Sequence, residues 1–453
     1  MMNYENLLKG INKKNARIAI IGANGGFGYT FLNQLYPMKD KMFARVVCDI
    51  NIDKSIDVLT DLEYPKEKIF PCKTKADIDA VPSDGIIVLD NAELVPLTDA
   101  DIVVEATGLP EMSSKYAEDA LLSGKHVCMV SKEADCISGP YLYKLAKSKN
   151  LVYTIIIGDQ PGNLINFLSW VKMLGLEVIC AGKSSEYDYV YDRTTKEFTF
   201  KGKTEIIPEL NDLWVYESPE TLAKRSEVLR DYPQFSVGDY CEMNVVANAT
   251  GLVPSCDKMH YPICNPADLD KIYIPKEDGG ILEKKGVLDV FNDFIRPDEV
   301  SFAGGIYVIV KCNNKKVWQI IAEKGHLVSK NLDYACLYLP YHFMGVEAPM
   351  SLILTHFLEQ STYPDYEERA RMLCIAGRDF KAGETFVMKY ERRHIEDTEV
   401  SLVKVEDAPT GSIPYYMAAE KTLLVDVPKG TVITEDMLDL SNSVLKRMRD
   451  SMR

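Results

Sequence analysis

Gly22-Ala-Asn-Gly-Gly-Phe-Gly28 has the composition of a backbone cradle for an anion. Glycines at Gly22, Gly25 and Gly28 keep Cβ atoms out of the way of a phosphate, and Asn24, Gly26 and Phe27 complete the turn. A helix starting behind such a turn aims unpaired N–H groups at the charge. The apolar run at 17–21 predicts a buried parallel strand before the turn, and 29–36 a helix after it. A second strand at 43–48 ends at Asp49, which is 21 residues after Gly28. That is where a dinucleotide fold places the acid that binds the adenosine ribose. An acid there repels a 2′-phosphate and favours NAD. Asn51 and Lys54 follow closely and suit NADP, so the choice between the two stays open.

Hydride chemistry also needs a group that gives or takes a proton. Lys132 follows an apolar strand at 125–130, and Lys183 follows another at 177–181. Asp159 lies in the turn Gly158-Asp-Gln-Pro-Gly162 after a long apolar strand at 151–157, suited to orienting a lysine or accepting a substrate hydroxyl. His342 and Glu347 frame Met344-Gly345 ahead of a helix at 349–360. These five are the candidate catalytic residues. Lys183 with Arg193 would also suit a substrate phosphate, whereas His126 falls inside a strand and reads as packed. Each position has a plainer reading as well: a solvated strand-end lysine, a tight turn or a structural histidine.

The elements that must carry these residues alternate strand and helix from 17 to about 157, the mark of a doubly wound parallel sheet. Further strands are predicted at 86–89 and 101–105, with helices at 113–122, capped by Ser113, and at 139–149. Beyond Gly158 the pattern changes. A helix at 163–174 precedes the 177–181 strand, and 201–276 is hard to read. Residues 301–312 and 316–323 read as two antiparallel strands about an Asn313-Asn314 turn. A boundary is expected near 375, after which short strands and turns predominate. The expected organisation is therefore an α/β Rossmann domain at 12–160, an α+β substrate and dimerisation domain at 161–374, and a small β-rich domain at 375–453.

Composition limits the partners. The 453 residues carry a net charge of −15, which disfavours nucleic acid or an anionic membrane surface. No apolar run is long enough to span a membrane and the N-terminus is polar, so neither an anchor nor a signal peptide is expected. The 11 cysteines form no CxxC pair and the six histidines show no ligand spacing. No metal is expected, and a reducing cytoplasm fits best.

Asp101-Ile-Val-Val-Glu-Ala-Thr-Gly-Leu-Pro-Glu111, followed by the stretch from Ala120 to Ala134 that contains Ser131-Lys132, resembles the nucleotide-binding domain of homoserine dehydrogenases. The resemblance implies that Ala106, Thr107 and Gly108 lie beside the nicotinamide ribose and that Lys132 reaches the active site. The Gly158–Asn163, Ala181–Lys183 and Leu339–Ser351 stretches narrow the likeness to homoserine dehydrogenase-like proteins that end in a SAF domain. That group includes reductoisomerase-like enzymes acting on 1-deoxyxylulose 5-phosphate. Lys381-Ala-Gly-Glu384 and 427–438 resemble the SAF fold itself. Residues 184–215 hold no counterpart of the acidic segment ending in Arg-Lys that places catalytic groups in homoserine dehydrogenases, and a regulatory amino-acid-binding domain is not expected in the C-terminal stretch.

The resulting expectation is a cytoplasmic, homo-oligomeric NAD(P)-dependent oxidoreductase acting on a carbonyl or alcohol carbon of a sugar phosphate or polyol. Homoserine is the neighbouring alternative. A nucleotide-binding sensor or a SAF-type carbohydrate-binding protein without turnover is the alternative from another class.

Overall fold

A computed structural model describes residues 3–389, 391 and 393–452. The chain forms two compact units. The first gathers 1–162, 343–367 and 440–453, and the second 163–342 and 368–439.

The first unit is built on seven parallel strands: β1 Ala16–Ile21, β2 Met42–Cys48, β3 Ile69–Pro71, β4 Ile86–Leu89, β5 Ile102–Glu105, β6 His126–Met129 and β7 Tyr153–Ile155. Their order is β3-β4-β2-β1-β5-β6-β7. The expected Rossmann-like sheet is present. β1, β2, β4 and β5 are almost wholly apolar because helices cover both faces. The order reverses between β1 and β5, and a crevice opens beyond the carboxyl ends of strands at such a point.

The core of this unit takes Leu352 and Ile353 from the helix Pro349–Leu358, and Ala348 from its N-cap, far along the chain from the sheet they cover. The C-terminal helix Val444–Asp450 also docks here. Ser443 Oγ and the Leu445 amide both donate to Glu111, at 2.7 and 3.1 Å.

Four helix starts differ from expectation, one being the helix expected at 163–174, which spans Gln160–Met173. The helix behind the glycine turn begins at Gly26 and runs to Leu35. The next spans Pro110–Leu122, with Pro110 in the first turn, where its missing N–H costs nothing; Ser113 is buried inside it rather than capping it. The third spans Lys132–Ser148 and carries Gly139 in its interior. A Cβ at Gly139 would collide with Tyr366 and Asp135, so this glycine serves close packing and marks no boundary.

The second unit is built on a nine-stranded mixed sheet. Its main path is β11 Lys203–Ile206, β10 Glu197–Phe200, β9 Tyr189–Asp192, β14 Val287–Ile295, β8 Val178–Ser184, β15 Ile306–Lys311 and β16 Tyr334–Leu339. β12 Val253–Pro254 and β13 Ile263–Cys264 also pair with β14. All nine residues of β14 are buried. The expected strand at 316–323 is instead the helix Lys315–Ala322. Asn314 caps it by accepting from the Val317 amide at 3.1 Å, which ends the hairpin reading. β17 Ala370–Ala376 runs through position 375 and pairs with β20 Thr398–Lys404, with the short pair β18 Met388–Lys389 and β19 His394–Ile395 between them.

Candidate active site at the carboxyl edge of the parallel sheet

The glycine turn and the turn after β5 meet at the switch point. Gly22 has φ +87°, and a Cβ there would stand 2.6 Å from the Ala106 carbonyl oxygen. Only glycine allows both the left-handed backbone and that approach. A Cβ at Gly28 would overlap the Ala23 carbonyl, so Gly28 sets the helix tight against the loop. Gly25, by contrast, faces open space, with no atom nearer than 3.9 Å to its would-be Cβ. It stands at the N-cap of the helix Gly26–Leu35 and uses no side chain to cap it. No side chain caps the first-turn amides, with Met344 Cε 3.8 Å from a would-be Cβ on Gly26, and the cradle fits a dinucleotide pyrophosphate.

Asp49 Oδ2 accepts the Asn24 amide at 2.9 Å. The Asn24 side chain is fixed in turn by the Asn51 carbonyl and the Ser55 hydroxyl, both at 3.0 Å. Asp49 thus braces the cradle from the end of β2. Asn51 caps the following helix by accepting from the Lys54 amide, which turns its side chain to a structural task.

On the β5 side, buried Glu105 accepts from the Thr107 amide at 3.0 Å and from the Thr107 hydroxyl at 2.6 Å. The Gly108 amide donates to Ser131 Oγ at 2.8 Å. These bonds fix the 106–108 turn. Burial pushes the Glu105 carboxyl above the usual range, with the bonds from Ser131 and Thr107 opposing it.

Lys132 is the first residue of the helix Lys132–Ser148, and Ser131 is its N-cap. A cation is unfavourable at a helix N-terminus. Asp159 offsets this: its Oδ2 lies 2.8 Å from Lys132 Nζ, with both side chains mostly but not fully buried, at 18% and 13% exposure. Asp159 Oδ1 accepts the Gln160 amide at 2.9 Å. Gly158 has φ +91°, and a Cβ on it would stand 2.8 Å from Glu347 Cβ. Segment 343–351 thus lies directly on this turn. The Ile157 amide also donates to Ser351 Oγ at 2.6 Å. Glu347 Oε1 accepts the Phe343 amide at 3.2 Å, closing its own turn.

Gln160 adds a residue that the sequence did not single out. It is buried, and neither atom of its carboxamide has a hydrogen-bond partner. Such a group costs about 1–3 kcal/mol until something bonds to it. Its place beside Asp159 makes a ligand's polar group the natural partner.

The structure brings Lys132, Asp159 and Glu347 to one edge of the first unit. The other two candidates belong to the second unit. His342 is half-buried, with Nδ1 3.0 Å from the Gly304 carbonyl oxygen, so Nδ1 carries the proton of that bond. Lys183 lies within β8 rather than beyond a strand, and it is fully buried. Its ammonium bonds Asp239 at 2.7 Å and also Glu242. Ser185 Oγ adds a bond to the other Asp239 oxygen at 3.1 Å. The two carboxylates hold the Lys183 ammonium above its ordinary value despite burial, while burial lifts the Asp239 carboxyl. A lysine sealed in this way is a structural ion pair, which corrects the expectation of a proton donor. Its partners lie one helical turn apart on Val237–Thr250, a spacing present in the sequence inside the stretch that resisted reading.

Among the described residues no group of three or more histidine, cysteine or acidic side chains is arranged to hold a metal, and no helix is long and apolar enough to cross a membrane. Residues 25–154 match the family described as homoserine dehydrogenase, NAD binding domain, and residues 158–348 match oxidoreductase DRL, catalytic domain. Both matches are to oxidoreductase families, and neither covers half of the chain. Homoserine dehydrogenase of Bacillus subtilis (strain 168) is 26% identical over 134 residues, which is 30% of this chain and 28% of that protein. Myo-inositol dehydrogenase from Lactobacillus casei, solved with NAD(H) and myo-inositol, is 12% identical over 39% of this chain and 47% of its own, with a TM-score of 0.29. DOX-P reductoisomerase, solved with fosmidomycin and magnesium, is 15% identical over 38% of this chain and 46% of its own, with a TM-score of 0.28. The chain thus spans under a third of the matched homoserine dehydrogenase and about half of each solved structure.

Proposed function

We propose that this protein is an NAD(P)-dependent oxidoreductase that moves a hydride to or from a carbonyl or alcohol carbon of a small polar molecule. Sugar phosphates and polyols lead the substrate classes, and homoserine is the alternative. The observation that carries the reading is the Lys132–Asp159 pair, 2.8 Å apart, on the same sheet edge as the glycine cradle.

The Gly22–Gly28 backbone and the helix start at Gly26 hold the pyrophosphate, and Asp49 faces the adenosine ribose. The 106–108 turn, tied to Glu105 and Ser131, supports the nicotinamide ribose. A bound nicotinamide supplies the hydride acceptor or donor. Lys132 Nζ bonds the substrate oxygen and handles its proton. Asp159 keeps that ammonium directed along the edge. The Gln160 carboxamide takes a hydroxyl or amide of the ligand, and Glu347 closes the site from segment 343–351.

The test is a fluorescence titration with NADH and NADPH, beside a panel of sugar phosphates, polyols and homoserine followed by nicotinamide absorbance. Lys132→Met is expected to lower kcat about 10²–10⁴-fold, the usual worth of a general acid or base, with dinucleotide affinity retained. Failure to bind either nucleotide would overturn the oxidoreductase reading. Binding without turnover across the panel would favour a sensor.

A further inference from the structure

Ten of the eleven cysteines are buried, and Cys256 is the exception. Its sulfur lies 3.9 Å from both ring nitrogens of His260. His260 is held on its other side by Asp289, a fully buried carboxylate on β14. Asp289 Oδ2 lies 2.5 Å from His260 Nδ1, and Oδ1 accepts the His260 amide at 2.8 Å. Asp289 is itself fixed. Oδ1 also accepts the Val290 amide at 2.9 Å, and its backbone lies so close to Gly182 of β8 that a Cβ there would overlap the Asp289 carbonyl.

The loop bearing the pair is strained on both sides of the histidine. Met259 and Tyr261 adopt φ values of +50° and +45°, which side chains other than glycine rarely take. Surrounding bonds impose that conformation: Tyr240 Oη donates to the Lys258 carbonyl at 2.5 Å, and Asn292 Nδ2 to the Tyr261 carbonyl at 3.2 Å. Backbone held this way collects at functional positions.

We propose that Cys256, His260 and Asp289 form a reactive-thiol site in the second unit, modified by small peroxides. Asp289 fixes the imidazole and favours its protonated form, which sets a proton donor 3.9 Å from the Cys256 sulfur. The thiolate attacks one peroxide oxygen. The S–O bond forms as the O–O bond breaks, sulfur loses two electrons and the peroxide gains them. The departing hydroxide takes the imidazolium proton and leaves as water, and Cys256 becomes a sulfenic acid. Glu283 and Tyr240 of the Val237–Thr250 helix face the pair, and Tyr261, Tyr273, Tyr307, Cys180 and Cys264 face Asp289. Burial, the largest single effect, pulls the imidazole down, but Asp289 and Cys256 together outweigh it and lift the ring to about 10, so it stays charged through neutral pH.

The test uses the full chain. Iodoacetamide labelling of each cysteine is followed by mass spectrometry between about pH 6 and pH 8, a range over which an ordinary thiol near pKa 8.5 slows about tenfold per unit on acidification. Cys256 is expected to label first and to keep its rate within about threefold across that range. Hydrogen peroxide with dimedone is expected to place an adduct on Cys256, and Cys256→Ser removes both signals. His260→Asn should restore the steep profile and suppress the adduct. If that variant fails to fold, the wild-type profile alone decides. A steep wild-type profile, or labelling of Cys256 no faster than the buried thiols, would overturn the proposal.

Discussion

Replacing Lys183 with methionine separates a structural lysine from a catalytic one. The side chain has no solvent exposure and bonds two carboxylates that are themselves 2–3% exposed. Methionine fills a similar volume but leaves Asp239 and Glu242 facing each other without a cation. Breaking a buried ion pair by removing one partner costs about 3–5 kcal/mol. For a unit of this size that lowers the melting temperature by about 6–20 °C. The loss depends on pH. In the variant, one carboxyl must hold a proton in the folded state, so its folded pKa rises above the unfolded value. Stability then falls as pH climbs between those two values, and the deficit is smaller near pH 5 than near pH 8. Tryptophan fluorescence is a suitable readout, because Trp170, Trp214 and Trp318 all lie in the second unit. Adding Asp239→Asn and Glu242→Gln should recover at least half of the lost stability, since the charges that needed the ammonium are gone. A Lys183→Met protein that melts like the wild type yet loses turnover would refute the argument and return Lys183 to the catalytic residues.

Two further outcomes follow from the first unit. Gly22→Ala puts a Cβ 2.6 Å from the Ala106 carbonyl at φ +87°, a conformation costing a non-glycine residue roughly 1–2 kcal/mol before the clash is counted. Titration should show at least about a tenfold loss of dinucleotide affinity with the tryptophan-monitored melt of the second unit unchanged; unchanged affinity would remove the cradle from the site. Asp135 is fully buried among the hydroxyls of Tyr153, Tyr363 and Tyr366, and burial lifts its carboxyl to about 6. Because the folded value is raised, its stabilising contribution is complete below the unfolded value near 4 and is lost as pH rises toward 6. The shift of about two units corresponds to about 3 kcal/mol. The stability difference between wild type and Asp135→Asn, followed by chemical denaturation and hydrogen exchange of the first unit, should shrink by about that amount between about pH 4 and pH 7. A difference that stays flat would contradict this account of Asp135.

Much of the parallel sheet was legible because its strands are buried on both faces and are therefore continuous apolar runs, as at 17–21, 43–48 and 86–89. The glycine turn was legible because Gly28 answers the Ala23 carbonyl five residues away and Gly22 takes a left-handed φ within the turn itself, whereas the approach of Gly22 to Ala106 is tertiary. Helix starts were harder. Pro110 and Lys132 begin helices that apolar spacing alone dated later, and Gly139 mimicked a boundary while serving contact with Tyr366. The helix Lys315–Ala322 was mistaken for a strand because an asparagine pair suits a hairpin turn as well as a helix cap, and only the bond from Val317 to Asn314 distinguishes them.

The sequence by itself determined the glycine cradle, the acid after β2, the alternation that builds the sheet and the residue types at its carboxyl edge. Apart from the approach of Gly22 to Ala106 and the bond from Asn24 to Asp49, these rest on patterns within one strand, turn and helix, where spacing along the chain is also spacing in space. Tertiary structure decided which charged groups meet. Lys132 and Asp159 are 27 positions apart in sequence and pair because β6 and β7 are neighbours. Lys183 was withdrawn from solvent by two acids on a helix more than 50 residues away, and Cys256 gained His260 backed by an aspartate from β14. Charge pairing acts through space and depends on burial, so a chain of residue types states which groups are available but not which ones fold together in the absence of water.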